Sequence, residues 1–187
     1  RSKYIEIEQC PLVSETMNQE LKRLRERTQN LHREKPFKKG ATLLLREHLD
    51  GISTDPKEII RERVAGVVFS FPAGEFFQNN PSILEDFTNY VGRKASQGNT
   101  SHLIDAYCGS GLFSLTSAHL FESVIGIEVS ELSVQHATQN ASANGIENAS
   151  FVLGDAAALF EQIDIAGRQS AVVIDPPRKG ASEEFLH

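Results

Sequence analysis

The spacing of hydrophobic positions changes character along this chain. From residue 14 to 34, Met17, Leu21, Leu24, Thr28 and Leu31 recur three or four apart, which predicts an amphipathic helix with one core-facing stripe. Ser14 can cap its start, Glu15 suits the positive first turn, and Pro36 ends it. Residues 41–46 and 64–71 are rich in β-forming side chains, with Asp50-Gly51 and Asp55-Pro56 as turns between them. Asn80 then caps a helix whose first residue is Pro81 and whose buried face is Ile83, Leu84, Phe87 and Val91. After Gln97-Gly98-Asn99, short apolar runs alternate with helical stretches. Residues 102–106, 123–128, 150–155 and 171–174 predict four strands. Residues 112–120 predict an apolar helix, and Asn144-Gly145 stops the helix that follows Glu128.

Strand–helix alternation of this kind predicts an α/β fold with a parallel sheet. Residues 1–72 read as the remnant of a small α+β subdomain carrying a basic helix, and residues 73–187 as a ligand-binding domain. Each predicted strand delivers an acid: Asp105, Glu128, Asp155 and Asp175. In open α/β sheets the ligand lies outside the carboxyl ends of the strands, so these acids share one edge with it. Gly109 and Gly111 allow a tight turn and a close approach to a ligand. Ser114 stands where a dinucleotide fingerprint wants glycine or alanine. Glu128 suits paired ribose hydroxyls. The plain alternative for any one of these acids is a cap on the next helix. Asp175 is followed by Pro176, Pro177 and Arg178, a stiff turn with two fixed φ angles and no N–H donors at the prolines.

The run Asp105-Ala106-Tyr107-Cys108-Gly109-Ser110-Gly111 resembles motif I of class I S-adenosylmethionine-dependent methyltransferases. Together with Phe76-Phe77-Gln78-Asn79-Asn80 and Asp175-Pro176-Pro177-Arg178-Lys179-Gly180, it resembles the RNA (uracil-5-)-methyltransferase family, which makes 5-methyluridine in tRNA or large-subunit rRNA. The likeness covers residues 64–184, and extends more weakly to Cys10-Pro11 and to residues 40–46. It implies a Rossmann-like class I methyltransferase sheet, incomplete after the fourth strand, and S-adenosylmethionine as cofactor. By the resemblance, Gln78 holds the methionine end, Tyr107 stands beside the cofactor, and the Gly109–Gly111 turn passes under it. Glu128 binds the ribose, Asp155 meets the adenine amino group, and Asp175 faces both the methionine end and the incoming uracil, with Arg178 on the same loop. Leu112 departs from relatives that carry Asn there.

The chemistry the resemblance implies is covalent. A cysteine thiolate adds to carbon 6 of uracil, carbon 5 takes the methyl group, and a base removes the carbon 5 proton. In the family both groups lie C-terminal to the Asp175 loop, which places them beyond His187 and predicts a truncated piece, inactive alone. Cys108 sits inside the glycine turn and reads as a small buried hydrophobe, not a nucleophile; Cys10 fares no better.

Composition narrows the setting. The chain is 40% hydrophobic and 24% charged, ordinary for a globular enzyme, and no apolar run approaches the ~20 residues that span a bilayer. Two distant cysteines give neither a disulfide framework nor a zinc site, and no metal is expected. They point to an intracellular setting, cytoplasmic first, with nucleus and mitochondrion left open. The net charge of −6 conceals a basic stretch from Lys22 to Lys39 with eight cations against two acids, which reads either as a solvated helix face, the usual meaning of a charge run, or as a surface for RNA phosphates. The expected partner is RNA, tRNA ahead of rRNA. Rival readings are an amino-group methyltransferase, a nicotinamide dehydrogenase, and an RNA-binding module with a vestigial cofactor pocket. Arg178 replaces the aromatic residue the first would stack on its base, and Ser114 breaks the fingerprint of the second.

Overall fold

The computed structural model describes residues 7–35, 43–78, 80–156, 169–177 and 180. Two compact units divide it, Arg1–Ile60 with Pro72–Gly74, and Arg61–Phe71 with Glu75–His187.

In the first unit, α1 (Glu15–Glu34) starts where Ser14 Oγ accepts the Met17 N–H at 3.0 Å. Lys35, at its end, is extended at φ −141° and ψ 101°, the region a following proline imposes; Pro36 itself lies outside the described residues. The expected core-facing stripe needs correction. Met17, Leu21, Leu24 and Thr28 are only half-buried, Leu31 is 48% exposed, and no residue of α1 is fully buried. Glu20 and Arg25 flank the stripe and are half-buried too, so the covered face mixes apolar side chains with charged stems. Of the strand expected over 41–46, residues 41 and 42 lie outside the described residues, 43–45 are not strand, and only Arg46 belongs to one. β1 (Arg46–His48) pairs antiparallel with β2 (Gly51–Ser53), and its partner's three residues set its length. His48 faces Gly51, so the turn residues are Leu49 and Asp50, one position earlier than expected. At Asp55-Pro56 the turn is as expected, with Asp55 Oδ1 accepting from Lys57 N at 2.9 Å.

The apolar run 64–71 is not one strand. β3 (Ile59–Val64) pairs with β4 (Val67–Pro72) around a two-residue turn, Ala65 at φ 47° and Gly66 at φ 84°. Positive φ at both turn positions matches the twist of a tight hairpin. α2 (Pro81–Ala95) begins as expected, with Asn80 Oδ1 accepting from Ser82 N at 3.2 Å. Its buried face differs from the expected one: Leu84, Thr88 and Gly92 are buried, whereas Ile83 is 50% and Phe87 39% exposed. Thr88 satisfies its own hydroxyl on the Leu84 carbonyl at 2.9 Å. Gly92 packs where a Cβ would stand 2.9 Å from Ser117 Oγ, so smallness, not hydrophobicity, selects this ridge.

β5 (His102–Ala106), α3 (Leu112–Ser117) with a 3-10 turn at Ala118–Leu120, β6 (Ser123–Glu128), α4 (Glu131–Ala143), β7 (Ala149–Leu153) and β8 (Ser170–Ile174) complete the second unit. The sheet order is β7-β6-β5-β8, with every neighbouring pair parallel. Central β5 is buried from Leu103 to Ala106, as a strand covered on both faces must be, and the outer strands β7 and β8 are partly exposed. Leu103 packs with Ala118, Phe121 and Val124, and Ile104 with Ala106, Ile127 and Ala156, two cores on opposite faces of one strand. The chain steps from β5 to β6 to β7 and then returns to the far side of β5 as β8. That reversal is the switch point at which α/β sheets open a crevice.

Candidate cofactor and active site

Register brings the strand ends into line. Ala106 pairs with Ile127 on one side and with Ile174 on the other, and Glu128 pairs with Leu153. The Gly154-Asp155 step after β7, Glu128, the turn after Ala106 and Asp175 therefore follow one another along a single sheet edge.

The turn after β5 is built from positive φ angles at Tyr107 (66°), Gly109 (55°) and Gly111 (89°). A tyrosine in the left-handed region is uncommon and costs of order 1–3 kcal/mol. Here Tyr107 packs against the cluster of Ile104, Ala106, Ile127 and Ala156, while Cys108 N donates to the Ile127 carbonyl at 3.0 Å. Glu128 ties the turn from the next strand. Its Oε2 accepts from Gly109 N at 3.1 Å and its Oε1 from Ser130 N at 2.9 Å, so each oxygen keeps free lone-pair capacity. A Cβ on Gly109 would meet nothing within 4 Å, whereas one on Gly126 would stand 2.5 Å from Phe151 Cδ1 and 2.8 Å from Cys108 Sγ. The turn is thus packed tight beneath and open above Gly109.

Gln78 and Asp175, 97 residues apart, meet: Gln78 Nε2 donates to Asp175 Oδ2 at 3.2 Å. Phe77 explains why Gln78 stands there. It is buried and stacks on Phe71 with ring centres 4.4 Å apart and planes at 17°, while its neighbour Phe76 is 77% exposed. Asp155 is exposed, just past Gly154, whose N–H donates to the Glu128 carbonyl at 2.9 Å. Arg178 and Asn79 lie outside the described residues, as do Lys38 and Lys39.

Asp105 is the correction. It was expected to finish its strand with a carboxylate in the crevice; it is instead fully buried inside β5 and holds the start of α3. Its Oδ2 accepts from Ser114 N at 2.8 Å and from Ser114 Oγ at 2.6 Å. Burial raises its pKa to about 7, against the opposing pull of those two bonds, and the charges of Asp175 and Glu128 push the same way as burial. Ser114, in sequence only a departure from the glycine fingerprint, is thus the partner of the motif's first acid. The predicted helix 112–120 ends as α-helix at Ser117 and tightens into the 3-10 turn, with all six residues of α3 buried. Cys108 is also buried, and burial pushes its thiol pKa far above the ordinary range. Among the described residues no three His, Cys, Asp or Glu side chains group to hold a metal ion, and no helix is long and apolar enough to cross a membrane.

A parallel sheet with this order, a glycine turn after its central strand and an acid at the end of the next is the fold of S-adenosylmethionine-dependent methyltransferases. The structure matches a Pyrococcus abyssi tRNA (uracil-54, C5)-methyltransferase solved in complex with S-adenosyl-L-homocysteine, with a TM-score of 0.72 and 21% identity, over 98% of this chain and 57% of that one. A family model described as tRNA (Uracil-5-)-methyltransferase matches residues 57–187, and the chain belongs to that family. Among curated relatives, the tRNA (uracil(54)-C(5))-methyltransferase of Schizosaccharomyces pombe is 44% identical over the whole chain, and its Saccharomyces cerevisiae namesake is 39% identical over 97% of it. The chain spans 37% and 35% of the length of those two proteins.

Proposed function

We propose that this protein holds the S-adenosylmethionine-binding part of an enzyme that methylates carbon 5 of a uridine in tRNA, position 54 being the one its relatives are named for. The observation that carries the reading is the Gln78–Asp175 hydrogen bond across 97 residues, which puts an amide and an acid together at the switch point. The residues present fit the cofactor: open space above Gly109, and two half-used carboxylate oxygens on Glu128 for a pair of hydroxyls.

When bound, S-adenosylmethionine supplies an electrophilic methyl group. Gln78 and Asp175 hold its amino-acid end, Glu128 its ribose hydroxyls and Asp155 its adenine amino group, with Tyr107 and the Gly109–Gly111 turn alongside. Asp175 and Arg178 share the loop that faces the uracil. Carbon 5 of uracil is a weak nucleophile until a thiolate adds at carbon 6, and a base must afterwards take the carbon 5 proton. Cys108 does not supply that thiolate: it is 6% exposed, its proton is held firmly, and its sulfur packs under the turn against the Gly126 backbone. The nucleophile and base are assigned, by the family resemblance, to residues that follow the Asp175 loop. We assign the cofactor domain to residues 73–187 together with residues 61–71, which share their compact unit, and a peripheral domain to the rest of residues 1–72. Lys22, Arg23, Arg27, Arg33 and Lys35, all exposed on or beside α1, offer cations for tRNA phosphates. The setting is the cytoplasm or another compartment that holds tRNA.

Calorimetry with S-adenosylhomocysteine tests the reading. The protein takes up the ligand, and Glu128→Gln weakens binding by about tenfold, the size of one charge-assisted hydrogen bond. Absence of any heat with the unsubstituted protein means a decayed pocket and sinks the assignment.

A further inference from the structure

α4 and the residue that ends it present two asparagines one turn apart, and both reach the open edge of β4. Asn144 Oδ1 accepts from Val68 N at 2.9 Å, and its Nδ2 donates to the Val68 carbonyl at 2.7 Å. Asn140 Oδ1 accepts from Ser70 N at 2.8 Å. The match is geometric: four helical residues rise about 6 Å, and two strand residues span about 6.8 Å. The two amides thus take the place of part of a neighbouring strand, partnering both backbone groups of Val68 and the N–H of Ser70.

Asn140 does one thing that Asn144 does not. It is 1% exposed, and its Nδ2 donates to the Ser110 carbonyl, a long bond at 3.4 Å, in the middle of the glycine turn. β4 also holds the other side of the crevice. Phe71 stacks on Phe77, and Phe69 meets the same ring at 5.5 Å, so the strand fixes the residue before Gln78. One strand therefore reaches the glycine turn through a single buried amide and the Gln78 segment through an aromatic stack.

We propose that Asn140 is a positioning residue for the cofactor, setting the separation of the Gly109–Gly111 turn from Gln78 through β4. The inference rests on the cofactor reading above and deepens it. Asn144 is the internal control, since its side chain grips the same strand, and the Asn140 carbonyl at 2.7 Å, without touching the turn.

The test compares Asn140→Ala and Asn144→Ala in the full protein, by S-adenosylhomocysteine affinity, by thermal unfolding without ligand, and by the amide NMR shifts of Gly109, Ser110 and Gly111. Both variants lose stability. Asn140→Ala also loses about tenfold in affinity, about 1.4 kcal/mol, and moves the three turn amides. Asn144→Ala keeps its affinity within about twofold, inside the margin of a structural change that leaves the site alone. If Asn140→Ala does not fold, Ser70→Pro carries the test, because proline removes the N–H that Asn140 holds on an outward-facing strand edge. Equal affinities for both variants, or turn amides that stay in place, overturn the proposal. A wild-type protein that binds no ligand overturns the cofactor reading instead.

Discussion

Asn in place of Asp105 should remove a pH-dependent cost that the native fold carries. Asp105 is fully buried in β5, with Oδ2 accepting two hydrogen bonds from Ser114 and Oδ1 a buried oxygen without a partner among the described residues. Its pKa rises from 3.8 to about 7, first through burial. A native pKa above the unfolded one means that the folded protein keeps a proton the unfolded one releases. Stability is therefore full below about pH 4, falls as pH climbs to about 7, and levels off above. At about 1.4 kcal/mol per unit, the displacement sets a ceiling of about 4 kcal/mol on that loss. Asp105→Asn keeps an acceptor oxygen for both Ser114 donors and abolishes the titration. In urea unfolding of both proteins from pH 4 to 8.5, the variant should match the wild type at the acid end and exceed it by up to about 4 kcal/mol at pH 8. A difference that is flat across this range, or that grows toward acid, refutes the assignment of a protonated carboxyl to this position.

Two further outcomes follow from packing. Gly126→Ala should destabilise by about 1–3 kcal/mol in thermal unfolding, because its Cβ would collide with the Phe151 ring and the Cys108 sulfur; a variant as stable as wild type would mean that the turn is looser than the contacts indicate. Under the proposed function, Cys108→Ala should leave S-adenosylhomocysteine binding intact, and in a protein as long as the curated relatives it should leave intact the covalent adduct with 5-fluorouracil-containing tRNA, as mass spectrometry can check. Loss of the adduct with cofactor binding preserved would make Cys108 the nucleophile after all.

Much of this domain could be read along the chain because its signals are local. The strand 102–106 is a short apolar run before a glycine turn, and the Asn80-Pro81 helix start is a cap whose donors lie within two residues. Glu128 and Asp175 were legible as strand-end acids because a parallel sheet sends all such ends to one edge. Asp105 carried the same signal and means something else. Whether an acid beside a strand end points to solvent or into the helix that follows depends on Ser114, nine residues on, offering its N–H and hydroxyl. The buried face of α2 departs from its hydrophobic pattern for a related reason: hydrophobicity favours Ile83 and Phe87, but close packing against Ser117 needs the glycine at 92.

By itself, the order of residues determined the parallel α/β design, the glycine turn and the set of polar groups delivered to the strand ends, since period and turn chemistry act over a few neighbours. Only the tertiary structure decided which groups meet. Gln78 reaches Asp175, Asn140 joins Ser70 to Ser110, and Asp105 turns inward, because each contact spans a stretch of sequence over which pattern carries no distance information.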